Sequence, residues 1–460
     1  MALDRRLNHG DGMMQRVLVA NRGEIALRAI RAARKLGLQT VAAYSDADRN
    51  SPHVWAADHS VCIGPPPAAL SYLNGAALIE AARGTACDAL YPGYGFLSEK
   101  SSFAAACREA GLVFIGPSPE AIAVMGDKVA ARRAAERNGI PVVPGSRQGF
   151  TEASAAAAVA PDIGFPLLLK ASGGGGGRGM RVVADPSEFA AQFAQASAEA
   201  LSAFGNAEIY LERFFVRVRH IEIQVFGDQH GNAIHLWERD CSIQRRHQKL
   251  VEEAPSPVLD ARVRTQMAEA ATALVRNIQY EGAGTVEFIY DLDSGQWFFI
   301  EMNTRIQVEH PVTEEIFGVD LVAEQMRVAA GDVISFVQPA APNGRCAIEF
   351  RINAEDPANN FRPSPGTVSA WLPPSGPGVR LDSHVYTNYV VPPYYDSLLG
   401  KLIISGQSRK DMLATAKSAL ARFKITGVIT TLPFHARLIG CEPFIEATAH
   451  TRWVEQEMLA

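Results

Sequence analysis

A run of glycines between two apolar segments constrains this chain more than any other feature. The loop reads Lys170-Ala-Ser-Gly-Gly-Gly-Gly-Gly-Arg-Gly-Met180, and strand-like residues lie at 165–169 and 180–183. Such a turn between two strands predicts a β-hairpin. Glycine leaves backbone N–H groups bare, and successive bare N–H groups bind anions. Because Lys170 and Arg178 add positive charge, the loop favours a flap over a nucleotide polyphosphate.

A flexible linker is the alternative interpretation of this loop, since linkers are also rich in glycine. Linkers have polar flanks, however, whereas apolar runs flank these glycines. The sequence has no Gly-Lys-Ser/Thr of a Walker loop, and no GxGxxG leads from a strand into a helix as in the Rossmann fingerprint. The two commonest nucleotide-binding patterns are therefore not indicated.

Bulk composition narrows the class of protein. The 460 residues suffice for about three domains at roughly 150 residues each. A net charge of −5 argues against a general nucleic-acid binder, and the local cluster Arg245-Arg-His-Gln-Lys249 suits a small anion. Six cysteines without a CxxC pair fit a reducing, cytoplasmic compartment, and no apolar run reaches membrane-spanning length. Residues 1–15 lack the apolar core of a secretory signal, which predicts a disordered tail.

Strands alternate with helices over the first 120 residues. Four short strands are predicted, at Arg16–Ala20, Thr40–Tyr44, Ala89–Tyr91 and Val113–Ile115. This alternation predicts βαβ units and an open parallel sheet, with ligands beyond the carboxyl ends of the strands.

The remainder of the chain has a different pattern. One helix is predicted over Glu120–Asn138, then an alanine-rich helix over 153–160 and a strand at Glu208–Leu211, which makes about 140–211 a small mobile lid. β-patterns dominate from Arg219, and a mixed β region begins near Cys346 and ends in helices near 410–424.

Two acidic residues are predicted to face each other across a hairpin. The apolar runs 285–290 and 297–302 flank a polar turn, and if that turn is centred on Ser294, Glu287 lies opposite Glu301. A bulge would shift this register. Like charges in cross-strand pairs repel, and a hard cation such as Mg²⁺ removes the repulsion. The sequence therefore predicts a magnesium site.

The stretch 301–309 alternates polar and apolar side chains. If its backbone stays extended, Glu301, Asn303, Arg305, Gln307 and Glu309 share one face. Asn303 would then join the two acids as a metal ligand, Arg305 suits a planar oxyanion such as bicarbonate, and Glu309 could act as a general base. A solvated edge strand is the alternative.

These stretches together resemble biotin carboxylase, a family of the ATP-grasp superfamily. The resemblance runs in order from about residue 16 and includes Ala20–Ala26, Tyr91–Ser98, Met125–Lys128, the glycine loop, Arg239–Lys249, Glu301–Pro311 and Arg351–Asp356. It implies an α/β and α+β fold: an open parallel N-terminal domain (16–126), an ATP-grasp domain (127–336) containing the lid, and a C-terminal mixed β domain (346–456).

The resemblance also implies roles for individual residues. ATP would be held by Lys128, Lys170, Gly175, Gly176, Gly177, Glu212, His220, Gln244, His247, Glu287 and Glu301. Magnesium, or manganese, would be held by Glu287, Glu301 and Asn303. Bicarbonate would be held by Lys249, Arg305, Gln307, Val308 and Glu309. Biotin would lie against Tyr94 and Arg351. Glu309, Arg351, Arg305 and Lys249 would be catalytic, with Glu309 deprotonating bicarbonate and Arg351 stabilising the biotin enolate.

The implied reaction is carboxylation of biotin by way of carboxyphosphate, the first half-reaction of a biotin-dependent acyl-CoA or pyruvate-type carboxylase. The sequence contains no Met-Lys dipeptide, the core of a biotin acceptor site, so biotin is expected on a separate carrier protein, with carboxyltransferase subunits also in trans. A cytoplasmic homodimer is expected, with no nucleic-acid or membrane partner.

Several alternatives remain at this point. A different ATP-grasp ligase would fit the flap but not Arg351 together with the bicarbonate face, and a non-catalytic subunit should have lost Glu287, Glu301 or Glu309. The hinge Glu212-Arg-Phe-Phe215 departs from the family pattern at its second and fourth positions, which concerns nucleotide affinity. His220 could be an ordinary strand histidine, Lys249 could lie in a solvated loop, and Arg351 could pair with Glu355 or Asp356.

Overall fold

The computed structural model describes residues 8–9, 12–171 and 180–459. Residues 172–179, which hold the glycines of the predicted flap, lie outside the described residues, as do 1–7, 10–11 and 460. Within the predicted tail, β1 (Asn8–His9) and β2 (Gly12–Met13) form a short antiparallel pair. The described part of this tail therefore has local structure that was not predicted.

Five parallel strands form the N-terminal sheet. In chain order they are β3 (Arg16–Val19), β4 (Gln39–Tyr44), β5 (His59–Cys62), β6 (Ala89–Tyr91) and β7 (Val113–Phe114), and their spatial order is β5-β4-β3-β6-β7. Its helices are α1 (Gly23–Lys35), α2 (Pro52–Ala56), α3 (Gly75–Gly84), α4 (Ser101–Glu109) and α5 (Pro119–Gly126). The loops after β3 and β6 meet where the strand order reverses, and ligands bind at such points.

The prediction of this sheet was right for four strands and missed one. β3 lies at the centre, where Val17, Leu18 and Val19 are fully buried, as expected for a strand covered on both faces. β5 was missed because its sequence, His59-Ser-Val-Cys62, has no apolar run and its side chains are mostly exposed.

The single helix predicted over Glu120–Asn138 is wrong. α5 ends at Gly126, and α6 (Lys128–Arg137) begins after Asp127, whose extended backbone separates the two helices. The Asp127 carboxylate accepts the N–H of Ala130, which is the bond that a good N-cap residue makes. The break places Lys128 in the first turn of α6, against the central cleft.

The lid is a small unit with its own core. β8 (Leu167–Ala171), β9 (Met180–Val183) and β10 (Ile209–Arg213) pair in the order β10-β8-β9, and α7 (Ala153–Ile163) and α8 (Phe189–Phe204) pack on them. Leu169, Phe193 and Ile209 are buried between these elements. Lys170 pairs with Met180 across β8 and β9, so the strands that flank the glycine loop form the predicted hairpin.

One antiparallel sheet of eight strands runs through the rest of the chain. Its strands are β11 (Val218–Gly227), β12 (Ala233–Arg245), β13 (Gln248–Ala254), β14 (Gly282–Asp291), β15 (Trp297–Asn303), β16 (Cys346–Asn353), β21 (Val379–Ser383) and β23 (Leu398–Gly406). The order is β15-β14-β11-β12-β13-β16-β23-β21. Because β13 pairs with β16, the sheet is continuous between the second and third predicted domains. The helices between these strands are α9 (Ala261–Asn277), α10 (His310–Phe317) and α11 (Leu321–Ala329).

Short strand pairs and helices complete the C-terminal part. The pairs combine β17 (Glu355–Asp356) with β18 (Arg362–Pro363), β19 (Gly366–Thr367) with β22 (Val390–Val391), and β20 (Ala370–Leu372) with β24 (Lys424–Thr426). The helices are α12 (Arg409–Arg422), α13 (Leu432–Leu438) and α14 (Glu442–Ile445), and a π-helical turn spans Val454–Met458. Among the described residues, no helix has the length and apolar character needed to cross a membrane.

Candidate active site

One cleft between the N-terminal sheet, the lid and the eight-stranded sheet brings the predicted site residues together. Its walls contain Tyr94, Lys128, Lys170, Glu212, His220, Gln244, His247, Lys249, Glu287, Glu301, Asn303, Arg305, Gln307, Val308 and Arg351. Glu309 lies immediately behind the wall, where it is fully buried and contacts Lys249 and Arg351. Gly175, Gly176 and Gly177 lie outside the described residues.

Glu287 on β14 lies directly opposite Glu301 on β15, in the predicted register. The register shifts just beyond this pair, because Ile300 is the extra residue of a bulge. Burial raises the pKa of Glu301, and the negative charge of Glu287 raises it further. The pKa of Glu287 is lowered: burial opposes the shift, but the charges of Lys249 and His220 outweigh it. The two carboxylates therefore differ in their neighbours: cations lower the pKa of Glu287, whereas burial and the charge of Glu287 raise the pKa of Glu301.

This donor set suits a hard divalent cation. Among the described residues none forms a hydrogen bond with the side-chain carboxylate of Glu301, so this carboxylate can accept a metal ion. Asn303 lies beside the pair, with Nδ2 donating to Glu287 Oε1 over 2.9 Å. Mg²⁺ commonly takes one or two carboxylates plus substrate phosphates, and Mn²⁺ accepts similar oxygen ligands.

A second group of possible ligand atoms lies nearby but is a poorer metal site. The ligand atoms of His220, Glu222 and Glu287 lie within 4.8 Å of one another. Glu222, however, accepts hydrogen bonds from Arg239 Nε at 2.5 Å and Lys249 Nζ at 2.6 Å. Its charge is already balanced, so the Glu287–Glu301 pair remains the better candidate.

Lys249 links three carboxylates at the base of the cleft. Its Nζ lies 2.6 Å from Glu222 Oε2, 3.0 Å from Glu287 Oε1 and 2.7 Å from Glu309 Oε1. Burial alone would lower the pKa of Lys249, but these acids raise it well above its ordinary value. Lys249 is therefore a fixed cation and does not belong to a solvated loop.

Glu309 is held by cations on both of its oxygens. Lys249 binds Oε1, and Arg351 Nη2 donates to Oε2 over 2.8 Å. Burial would raise the pKa of Glu309, but Lys249, Arg351 and Arg239 together lower it well below its ordinary value. Glu309 is therefore a carboxylate at neutral pH, which a general base must be.

Arg351 does not pair with Glu355 or Asp356, the alternative left open by the sequence. Its Nε donates to Glu252 Oε1 over 2.6 Å while Nη2 contacts Glu309. Burial raises the pKa of Glu252 to about 7 against the opposing charge of Arg351. Glu252 was not predicted as a site residue, because its contact depends on β13 pairing with β16.

The extended backbone predicted over 301–309 is only partly correct. Strand β15 ends at Asn303, and Glu309 is the residue immediately before the first turn of helix α10. Pro311 in that first turn favours the helical start. Side chains nevertheless converge: Arg305 Nη1 donates to Gln307 Oε1 over 2.9 Å, and Gln307 Nε2 donates to Glu287 Oε1 over 3.2 Å. Turns, and not strand alternation, bring these residues together.

The carboxylate of Glu99, in the N-terminal domain, binds the first two residues after strand β15. Glu99 was not predicted as a site residue. Its Oε1 accepts the backbone N–H of Thr304 over 3.0 Å, and its Oε2 accepts from Arg305 Nε over 2.7 Å. The sequence signal that could have identified Glu99 is its position directly after the motif Tyr91–Ser98. This carboxylate fixes the orientation of the guanidinium that was predicted to bind bicarbonate.

Tyr94 closes the opposite side of the cleft. Its hydroxyl donates to Glu24 Oε1, and Lys401 Nζ lies 3.0 Å from the same carboxylate oxygen. Lys401 also donates to the carbonyl oxygen of Val308 over 2.9 Å. Burial raises the pKa of Tyr94 well above its ordinary value, and Glu24 adds to the shift. Tyr94 is therefore a neutral hydroxyl group near Arg351.

The lid side of the cleft carries the predicted nucleotide residues. Lys170 Nζ lies 2.5 Å from Glu212 Oε2, which joins the strand before the glycine loop to the hinge. Gln244 Nε2 lies 3.0 Å from His220 Nδ1, and His220 Nε2 lies 3.0 Å from Glu287 Oε2. His220 is therefore in contact with the proposed metal ligands and is not an isolated strand histidine.

The turn between β12 and β13 has an unusual backbone. Arg245 pairs with Gln248, so Arg246 and His247 form a two-residue hairpin loop. Both have positive φ, 47° and 64°. Such loops usually contain Asn-Gly or similar residues, and each non-glycine residue in this region costs of order 1–3 kcal/mol. The site therefore holds His247 in a strained conformation.

Fold and cleft together define an enzyme that activates a small carboxylate with a nucleotide. Three family models match the chain: biotin carboxylase, N-terminal domain, over residues 13–122; carbamoyl-phosphate synthase L chain, ATP binding domain, over 127–337; and biotin carboxylase C-terminal domain over 349–456.

Individual relatives agree with these matches. A biotin carboxylase of Nostoc is 52% identical, covering 96% of this chain and 98% of its own. Biotin carboxylase 1 of Bacillus subtilis is 48% identical, with coverages of 96% and 98%. A solved structure, the biotin carboxylase domain dimer of Hydrogenobacter thermophilus 2-oxoglutarate carboxylase with MgADP, ADP and bicarbonate, is 44% identical with a TM-score of 0.88, covering 97% and 98%. The chain belongs to the biotin carboxylase family, which confirms the predicted resemblance and fold class.

Proposed function

We propose that this chain carboxylates biotin with ATP and bicarbonate, by way of carboxyphosphate, on a separate carrier protein. The observation that carries the proposal is the arrangement around Glu309. This carboxylate lies between Lys249 and Arg351, and Lys249 also contacts Glu287 of the carboxylate pair. One cation thus connects the predicted base with the predicted metal ligands.

The first step activates bicarbonate. Bicarbonate is a poor electrophile, so its oxygen must first receive the γ-phosphoryl group of ATP in a site that excludes water. Arg305, oriented by Glu99, would bind the anion, and Glu309 would take its proton. Glu287, Glu301 and Asn303 would hold Mg²⁺, or Mn²⁺, which neutralises charge on the transferring phosphates.

The strength of Glu309 as a base depends on what its cations bind. With Lys249 and Arg351 both on its oxygens, its pKa lies well below the ordinary value, so it is ionised but weakly basic. When bicarbonate draws Lys249 and biotin draws Arg351, Glu309 loses opposite charges that favour its ionised form. Its pKa then rises, which makes proton transfer from bicarbonate more favourable when both substrates are present.

The second step transfers CO₂ to N1′ of biotin. Carboxyphosphate would break down into CO₂ and phosphate, the released phosphate would take the N1′ proton of biotin, and N1′ would then attack CO₂. Arg351 would stabilise the oxyanion of the biotin enolate, since a guanidinium presents two parallel donors. Tyr94, fixed by Glu24, would line the biotin pocket. The product, carboxybiotin, would then leave the site.

Assembly and location are part of the same proposal. The Hydrogenobacter relative is described as a dimer, which supports a homodimer here. The absence of a Met-Lys dipeptide supports a carrier on another polypeptide, with the carboxyltransferase that selects the acyl-CoA or keto acid also separate. We place this assembly in the cytoplasm.

The direct test is ADP release measured with purified protein, MgATP and bicarbonate, with and without free biotin. We expect release to require bicarbonate and to rise on addition of biotin or of a biotinylated carrier. Carboxybiotin formed from labelled bicarbonate should account for the added turnover. Release that is independent of both bicarbonate and biotin would contradict the proposal.

A further inference from the structure

The end of the chain contacts the strained turn that carries His247. Glu455 Oε1 accepts the backbone N–H of Arg246 over 2.6 Å, although the two residues are 209 positions apart. Arg246 is the first of the two turn residues with positive φ. In a two-residue hairpin loop this N–H points away from the strand pairing, so it needs a partner outside the sheet.

Glu455 is itself firmly placed. It lies in the π-helical turn Val454–Met458, and its neighbours Trp453 and Val454 are buried in the C-terminal core. The indole of Trp453 donates to Glu457 Oε2 over 2.9 Å, and Arg437 donates to the carbonyl of Met458 over 2.7 Å. The carboxylate therefore reaches the turn from a rigid support.

The same segment contacts the hinge of the lid. The backbone N–H of Thr451 donates to the carbonyl of Val218 over 3.0 Å. The guanidinium of Arg452 lies over the ring of Phe214, 5.6 Å from its centroid, within the range of a cation–π contact. Residues 451–455 thus contact both the hinge and the hairpin turn, two parts of the wall on the nucleotide side.

We infer that Glu455 is a positioning residue for nucleotide binding, which holds the Arg246–His247 turn in the strained form that presents His247 to the cleft. The inference rests on the proposed function, since His247 is taken as a nucleotide contact. A turn released from this bond populates relaxed conformations. The apparent affinity for nucleotide equals the intrinsic affinity multiplied by the fraction of molecules whose turn keeps the binding-competent form, so it falls as that fraction falls.

The test measures MgADP affinity by calorimetry, together with KM for ATP and kcat, in the full-length protein. Glu455→Ala should raise both the MgADP Kd and the KM for ATP about tenfold, with kcat nearly unchanged. Glu455→Gln keeps an oxygen that can accept the N–H, and should stay within about threefold of wild type. Glu457→Ala is the matched control, because it loosens Trp453 in the same segment without touching the turn.

A rescue experiment distinguishes a role of Glu455 in positioning the turn from a role in general stability. Glycine adopts positive φ without strain, so Arg246→Gly should make the turn independent of Glu455. Adding Glu455→Ala to Arg246→Gly should then change Kd by less than about twofold, against about tenfold in the wild-type background. Equal losses in both backgrounds, or an equal loss in Glu457→Ala, would overturn the inference. A wild-type protein that binds no MgADP would instead refute the proposed function.

Discussion

Arg351 Nη2 lies 2.8 Å from Glu309 Oε2, so a residue of the C-terminal domain directly contacts the candidate base of the ATP-grasp domain. The pairing of β13 with β16 makes this contact possible. In the proposed mechanism, the step that uses bicarbonate and the step that uses biotin would therefore share one carboxylate.

Glu309→Gln should lower bicarbonate-dependent turnover by roughly 10²–10⁴-fold, the range expected for loss of a general base. ATP binding should persist, because Glu309 is not one of the proposed metal ligands. Steady-state ADP release and calorimetric ATP binding measure the two effects. Glu315→Gln, on the same helix α10, serves as the control. Near-normal bicarbonate-dependent turnover in Glu309→Gln would exclude the base role.

Glu301→Gln should affect activity and stability in opposite directions. The Mg²⁺ concentration needed for half-maximal rate should rise by about 10–100-fold, comparable with the loss of other metal partners. Without metal the variant should melt at a higher temperature than wild type, because Glu301 is a half-buried carboxylate opposite the like charge of Glu287. Asp293→Asn, in the exposed turn of the same hairpin, is the control. Unchanged Mg²⁺ dependence would refute the paired-carboxylate site.

Acidification should destabilise the protein through buried neutral histidines. Burial lowers the pKa of His435 from 6.5 to about 4. Between these values the unfolded chain binds a proton that the folded chain does not, so stability falls as pH falls from 6.5 towards 4. His435→Gln should make the slope of unfolding free energy against pH shallower by about 1.4 kcal/mol per pH unit near pH 5.

Urea unfolding at several pH values between 7 and 4.5 measures this slope. His59→Gln on β5 is a matched control, since His59 is exposed and lies far from the core. If the curves of wild type and His435→Gln run parallel, the proton uptake does not come from His435. A constant offset between the two curves is expected in either case, because the variant loses the bond from His435 to the Arg351 carbonyl.

Biotin should not become attached to this chain. Co-expression with a biotin ligase, followed by intact-mass measurement, should give the unmodified mass of the 460 residues, since no Met-Lys dipeptide is present. A biotinylated carrier domain expressed alongside is the positive control. A covalent biotin adduct on this chain would refute the carrier-in-trans proposal.

Local sequence signals predicted the features that depend on local structure. The hairpin that opposes Glu287 and Glu301 follows from one turn and two apolar runs, so its register could be read directly. The lid hairpin follows in the same way from the residues beside the glycine loop. The helix break at Asp127 was also a local signal, a capping residue after Gly126, but the helical pattern on both sides obscured it.

Contacts between distant strands could not be predicted from spacing. Lys249, Glu287 and Glu309 meet because β13 and β14 belong to one sheet and α10 packs against it, and no short motif encodes that topology. Glu99 and Glu252 were missed for the same reason: each orients an arginine from another element. The family resemblance supplied the identities of the site residues, but not the partners that hold them.

The continuous eight-stranded sheet also determines which parts of the molecule unfold together. Hydrogen bonds run without interruption from β15 to β21, so the ATP-grasp and C-terminal domains should lose structure in one cooperative step. The lid has a three-stranded sheet and a core of its own, so we expect it to open as a separate unit. Its subglobal opening can therefore occur while the carboxylates and cations of the large sheet keep their places. The chain can admit a nucleotide many times without disturbing the atoms that act on it.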